Sequence, residues 1–331
     1  MNILVTGGAG YIGSFMVRRL LDDGHKVTVV DNLERGYRDA IDKRARFIQE
    51  DLKNLSFLQE IFSKESFDAV IHFAGYISVE ESTKFPQKYS QNNIGGSGNL
   101  LRAMTNGKVN KIIFSSTAAV YGNMIRVPIS EDHPRIPTNP YGKSKLEIEE
   151  MLKLWQKQHG INFVSLRYFN AAGGAIDGSL GENHKPETHI IPNAINSALE
   201  NREFTLYGND YATSDGTCIR DYIHVIDLVE AHVAALEKLR KENGGFFYNV
   251  GAGKGYSNKE VIDMVKKVSG VDIKLKIADR RNGDAGILVA DSTKIKKELG
   301  FSPKYSDLEK IVKTAWQWHK RNSELRIHNS E

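Results

Sequence analysis

Cysteine is almost absent from this sequence: Cys218 is the single example in 331 residues. An internal disulfide is therefore excluded, and so is a thiol-rich metal cluster. Long apolar runs are lacking too. No stretch approaches the roughly 18 apolar residues of a membrane-spanning helix. Only Ile3–Val5 stands between Met1-Asn2 and the first glycines, too little for the apolar core of a signal peptide. A cytoplasmic protein with no membrane partner is expected. Charge imbalance is also small: 45 Lys and Arg against 41 Asp and Glu leave +4. That argues against a nucleic-acid partner but suits a pocket that receives anions. Neither internal repeats nor low-complexity segments occur.

What is present reads as α/β. Short apolar runs at Ile3–Val5, Lys26–Val30, Arg46–Ile48, Ala69–Phe73, Lys111–Ser115 and Asn162–Leu166 alternate with helical stretches, the pattern of a doubly wound parallel sheet. The clearest helix opens at Asn139-Pro140, a cap residue followed by the proline tolerated in the first turn, and closes at Gly160. Within it Ile148, Met151, Leu152 and Trp155 form one buried stripe. Beyond residue 169 the pattern loosens into a Gly-, Asn-, His- and Glu-rich loop at 171–188, with further helices at His224–Leu239 and Asn258–Ser269. The expected organisation is a Rossmann-type domain over 1–169, joined by part of 221–251, and a smaller C-terminal α/β substrate domain over 170–331.

Gly7-Gly8-Ala9-Gly10-Tyr11-Ile12-Gly13 follows the first strand and opens a helix. Glycines there permit a tight turn and close approach of a pyrophosphate to the positive helix N-terminus. Asp31 ends the second strand, placed to accept the ribose hydroxyls and to repel a 2′-phosphate, so NAD is favoured over NADP. Arg35, four residues on, could soften that preference. Asp51-Leu52 follows the third strand and is placed to meet the adenine. Tyr141 and Lys145 stand at i and i+4 on one helix face. A solvated pair would show the same spacing, but downstream of a dinucleotide turn it reads as a phenol base activated by an ammonium and a positive nicotinamide. Ser115-Ser116-Thr117 ends the fifth strand, at the sheet edge where such folds hold ligands. His72 lies in an apolar strand and reads as a satisfied core residue. No H-E-x-x-H is present, and no metal is expected.

GGAGYIG (7–13), Asp31-Asn32, HFAG (72–75), FSSTAAVYG (114–122), YGKSK (141–145), RYFN (167–170), DGTCIRDYIHV (215–225) and YNVG (248–251) resemble the UDP-glucose 4-epimerase family of extended short-chain dehydrogenases. The resemblance runs from residue 1 to about 320, and DGT-x-x-RDYIHV is its most specific segment. It implies that Gly7, Gly10, Tyr11, Ile12, Gly13, Asp31, Asn32, Asp51, Leu52, Phe73, Ala74, Gly75, Asn93, Ser115, Tyr141, Lys145 and Tyr168 hold NAD. Tyr141 would act as base with Thr117 and Lys145. Asn170, His189, Ile190, Arg220, Tyr222, Arg281, Asp284 and Leu288 would line a UDP-sugar together with Thr117 and Tyr141. The implied reaction is reversible inversion at C4 through a 4-keto sugar, by a homodimer pairing through helices like 139–159.

Departures from the family pattern are Ile77 for a lysine, Thr117 for a serine and His189 for an asparagine. Leu288 stands where members carry a tyrosine or a smaller residue. A 4,6-dehydratase is argued against by Thr117-Ala118-Ala119, which offers no carboxylate where that chemistry uses Thr-Asp-Glu. Epimerisation of UDP-glucuronate, and an NAD-binding regulatory protein without turnover, are the remaining alternatives.

Overall fold

The computed structural model describes residues 1–281 and 284–328, with side chains through Glu324. Each of the six apolar runs is a strand. They are β1 (Asn2–Thr6), β2 (Lys26–Asp31), β3 (Arg46–Gln49), β4 (Ala69–His72), β5 (Lys111–Thr117) and β6 (Asn162–Tyr168). Later come β7 (Asn170–Ala172), β8 (Phe204–Tyr207), β9 (Ile219–His224), β10 (Gly245–Val250), β11 (Gly255–Ser257), β12 (Leu275–Ala278) and β13 (Ile287–Leu288). The main sheet is parallel throughout, in the order β3-β2-β1-β4-β5-β6-β10.

The strands are apolar on both faces because helices cover both. Ile3 and Val5 point into one core, with the Tyr11–Asp22 and Val225–Lys241 helices. Leu4 points into the other, with the helices Leu55–Lys64, Gly96–Asn106 and Pro140–His159. The period of two along β1 thus feeds two separate cores. Chain order reverses between β1 and β4, which opens a crevice at the strand ends where this fold class holds ligands.

The long helix has the ends its sequence announces. Asn139 Oδ1 accepts from Gly142 N at 2.8 Å, and Gly160 is left-handed at φ 70°. Of its stripe, Ile148 and Leu152 are buried while Met151 and Trp155 are partly so. A third core gathers the helices Ile190–Leu199, Asn258–Ser269 and Leu308–His328 around β8 and Tyr222. In this half β9 pairs with β7, β11 and β13, and β8 pairs with β12. No helix among the described residues is long and apolar enough to cross a membrane.

Candidate active site

The crevice begins at the glycine turn. Gly7 has φ +73°, and a Cβ on it would lie 2.5 Å from Ala74 N. A Cβ on Gly13 would lie 2.1 Å from Gly7 O. Only glycine allows this turn to close against both its own helix and the 72–75 loop. Gly10 caps the helix without a side-chain bond, and the first turn holds no acid. The N–H groups of Tyr11, Ile12 and Gly13 have no acceptor four residues back, so they offer an anion cradle at a positive helix end. The residues present therefore fit a dinucleotide pyrophosphate.

Asp31 ends β2 beside this turn and is 9% exposed. Burial raises its carboxyl, against bonds accepted from Leu33 N at 2.9 Å and Ala9 N at 3.0 Å. Arg35 is engaged in a two-oxygen pair with Glu81. Asn32 Nδ2 donates to Asp51 Oδ2 at 3.0 Å, joining the ends of β2 and β3. Phe73 N and Ala74 N both donate to Thr6 O. Leu52 packs against Gly96. The Asn93 side chain brackets the backbone of Tyr76 at both N and O, and donates to Ser144 Oγ. His72 is a satisfied core histidine, bonded to Thr6 Oγ1 and Ser97 Oγ.

At the end of β5 the reactive groups come together. Lys145 Nζ donates to Ser115 O at 2.8 Å, and burial lowers its pKa to about 8. Gly75 approaches the same Nζ, where a Cβ would sit 3.7 Å away. Ser115 Oγ bonds the Tyr168 hydroxyl. Burial pushes the Tyr141 phenol up to about 12, opposed by the Thr117 hydroxyl. Thr117 Oγ1 accepts from Ala119 N at 3.1 Å, and its own proton remains available to Tyr141. The protein alone thus holds Tyr141 neutral, and the activation expected from sequence needs the cofactor's positive charge in addition.

The other sequence-selected residues divide by setting. Asn170 Nδ2 donates to Asp221 O at 2.9 Å, on paired strands. The Tyr222 hydroxyl is buried with no hydrogen-bond partner among the described residues. Arg220 is fixed by Ala285 O at 2.7 Å and Ile219 O at 3.0 Å, with Asp284 at 3.8 Å. Arg281 lies over the Tyr207 ring at 4.0 Å. Leu288 is in register with Arg220 and packs on the cluster of Ala118, Val120, Tyr121 and Ile129. His189 precedes the helix begun by Ile190 and pairs with Glu182, so its Nδ1 is engaged within the protein. Ile77 is 45% exposed.

Sequence reasoning missed a buried network behind this site. Arg167, 2% exposed, meets Glu149, 0% exposed, through two bonds of 2.9 and 2.7 Å. Glu149 also accepts from Ser116 and Ser165, while Arg167 donates to Tyr121, whose hydroxyl donates to Asn249. The signal was available: Glu149 continues the helix face of Tyr141 and Lys145 at i+8. Asp221, in the RDYIHV segment, was also missed. It accepts from Ala252 N, Gly253 N and Ala290 N, and burial raises it to about 6.

A dinucleotide turn, a Tyr–Lys pair on one helix and a hydroxyl strand end define an extended short-chain dehydrogenase architecture. The chain belongs to the NAD dependent epimerase/dehydratase family, which matches residues 3–251. It is 48% identical over 325 residues to a UDP-glucose 4-epimerase of Lacticaseibacillus casei, covering 98% of each chain. To that of Halalkalibacterium halodurans it is 49% identical, over 97% of this chain and 96% of that one. Among solved structures, UDP-glucose 4-epimerase from Brucella ovis in complex with NAD superposes with a TM-score of 0.92. Identity there is 43%, over 95% and 97% of the two chains. The UDP-Glc/GlcNAc 4-epimerase of Campylobacter jejuni gives 0.85 at 43% identity, over 97% and 99%. The protein is thus an NAD-dependent isomerase.

Proposed function

We propose that this protein interconverts UDP-glucose and UDP-galactose by inverting C4, with Tyr141 as the base. The observation that carries this is the gathering of Tyr141, Thr117 and Lys145 at the end of β5, where Lys145 Nζ donates to Ser115 O and the Thr117 hydroxyl opposes the burial that raises the Tyr141 phenol. Bound NAD supplies a reversible two-electron acceptor for the C4 carbinol. The ammonium of Lys145 and the hydroxyl of Thr117, together with the positive charge that bound NAD would add, favour the phenolate of Tyr141, which takes the O4 proton as C4 becomes a ketone. Arg220 and Arg281 hold the diphosphate, so the sugar can turn its other face while its nucleotide stays fixed. Tyr141 then returns the proton to O4 of the inverted centre. Incubation with UDP-galactose, UDP-N-acetylgalactosamine and UDP-galacturonate, scoring which C4 centres invert, tests the reading. Absence of inversion of UDP-galactose overturns it.

Leu288 sets the breadth of that substrate range. It lies beside Arg220 and packs on the cluster of Ala118, Val120, Tyr121 and Ile129, and its side chain is shorter than a tyrosine ring. The acetylated pair is therefore accepted alongside the unacetylated one. In Leu288→Tyr, kcat/KM for the acetylated sugars is expected to fall relative to glucose and galactose by about 1–3 kcal/mol of discrimination, or more if the ring clashes. Equal acceptance by the variant excludes Leu288 as the gate.

The working form is a cytoplasmic homodimer in this reading. On the Pro140–His159 helix Leu154 is 46% exposed beside partly exposed Met151 and Trp155, an apolar strip suited to a second copy. Light scattering of the holoenzyme is expected to give twice the chain mass, and Leu154→Glu to shift it toward the monomer.

A further inference from the structure

The 182–189 loop carries the pattern Glu-x-His-x-x-Glu-x-His, and the fold gathers its four polar heads to one place. Glu182, His184, Glu187 and His189 each offer a ligand atom, all within 4.8 Å of one another. His184 Nδ1 lies 3.1 Å from Glu182 Oε1 and 3.9 Å from Glu187 Oε1. His189 Nδ1 lies 3.6 Å from Glu187 Oε1 and also touches Glu182 Oε1. Zinc bonds of about 2.0–2.2 Å to nitrogen and oxygen set tetrahedral edges of roughly 3.3–3.6 Å. Three of the measured edges, at 3.1, 3.6 and 3.9 Å, lie about that range, while His189 Nδ1 and Glu182 Oε1 are in direct contact and part to admit the ion.

We propose that these four residues form a structural zinc site. The His184 Nδ1 atom is shut off from solvent yet makes no hydrogen bond of acceptable angle, although Glu182 is within reach. A buried ring nitrogen left without a hydrogen bond suits a ligand position better than a donor in a simple ion pair. The loop is held for the purpose. Trp318 Nε1 donates to Glu182 O at 3.0 Å, and Glu187 Oε1 is oriented by Thr188 N and His189 N. Two imidazoles with two carboxylates suit zinc among divalent metals, and four protein ligands close the coordination shell, which marks a structural site.

The position gives such an ion a task. Glu182 and Glu187 act on the Tyr11 phenol, and without an ion their charges are met by the imidazoles of His184 and His189. A divalent cation takes over that charge from the imidazoles, which bind it neutral, and clips the loop that leads into the Ile190–Leu199 helix. It also keeps the His189 imidazole on the metal rather than on the sugar. The inference is independent of which sugar is turned over.

Metal analysis of the purified holoenzyme, loaded with zinc and then dialysed, is expected to give one zinc per chain. His184→Gln and Glu182→Gln are expected to retain less than a tenth of that. Cobalt substituted into the wild type is expected to show the visible bands of a four-coordinate ion. Zinc is expected to raise the melting temperature and slow NAD loss in the wild type, with neither change in the variants. Zinc retained equally by folded variants overturns the site. Should the variants fail to fold, the wild-type cobalt spectrum decides: the absence of four-coordinate bands shows an ion-paired cluster without metal and overturns the proposal. Epimerisation is assayed separately, so its loss without any change in zinc content counts against the catalytic reading alone.

Discussion

Tyr141→Phe is expected to lower turnover of UDP-galactose by about 10²–10⁴-fold, the usual contribution of general acid–base catalysis. NAD is expected to stay bound. The side chain is partly buried, and burial holds the phenol near 12, above its ordinary value. The Thr117 hydroxyl accepts from Ala119 N, and its own proton remains available to the phenol. Phenylalanine keeps the ring and its packing and removes only the oxygen that exchanges a proton with O4. Lys145 keeps its bond to Ser115 O in the variant, so the cofactor pocket is undisturbed. Turnover is followed by UDP-glucose formation, and NAD content by its release on denaturation. A near-normal rate would move the base elsewhere.

Arg167→Met is expected to destabilise the fold by about 3–5 kcal/mol, because it removes the buried cation that bonds both oxygens of Glu149 and leaves only the partly exposed Arg135 at 3.6 Å. Glu149 is fully enclosed, and Ser116 and Ser165 are the neutral donors that remain to it. The double change Glu149→Leu with Arg167→Met is expected to recover most of that loss, since an apolar pair of similar volume is often neutral relative to a buried ion pair. Recovery of stability need not restore the rate. Ser116 lies between Ser115 and Thr117, and its bond to Glu149 ties the end of β5 to the helix that carries Tyr141 and Lys145. Denaturant unfolding of the three variants reads the first effect, and kcat in the double variant reads the second. A cost below about 1 kcal/mol for Arg167→Met would show that the pair is not the anchor described.

Much of the first sheet was legible in the sequence. The apolar runs are short and near-continuous because β1, β4, β5 and β6 are covered on both faces, and that signal needs no knowledge of partners. The helix ends at Asn139 and Gly160 were legible for a similar reason: a cap bond to Gly142 N and a left-handed residue are local events. Family resemblance then gathered Asn170, Arg220, Tyr222 and Leu288, none of which periodicity would have selected.

Less legible was the destination of each charge. Arg35 looked free to meet a ribose phosphate and instead pairs with Glu81, 46 positions away. Asp221 sits in a segment picked for ligand contacts, yet its oxygens brace the backbone of 252–253 and 290.

The sequence by itself determined the parallel α/β sheet, the dinucleotide turn and the Tyr141–Lys145 face. Each depends on residues a few positions apart, and local backbone geometry is enough to place them. Tertiary structure alone decided that Arg167 and Glu149 are buried partners, that Thr117 meets Tyr141 at the end of β5, and that two histidines converge with two glutamates over 182–189. Those pairings depend on how strands and helices pack. The cost of burying a charge selects partners across the fold, and neither periodicity nor capping carries that information.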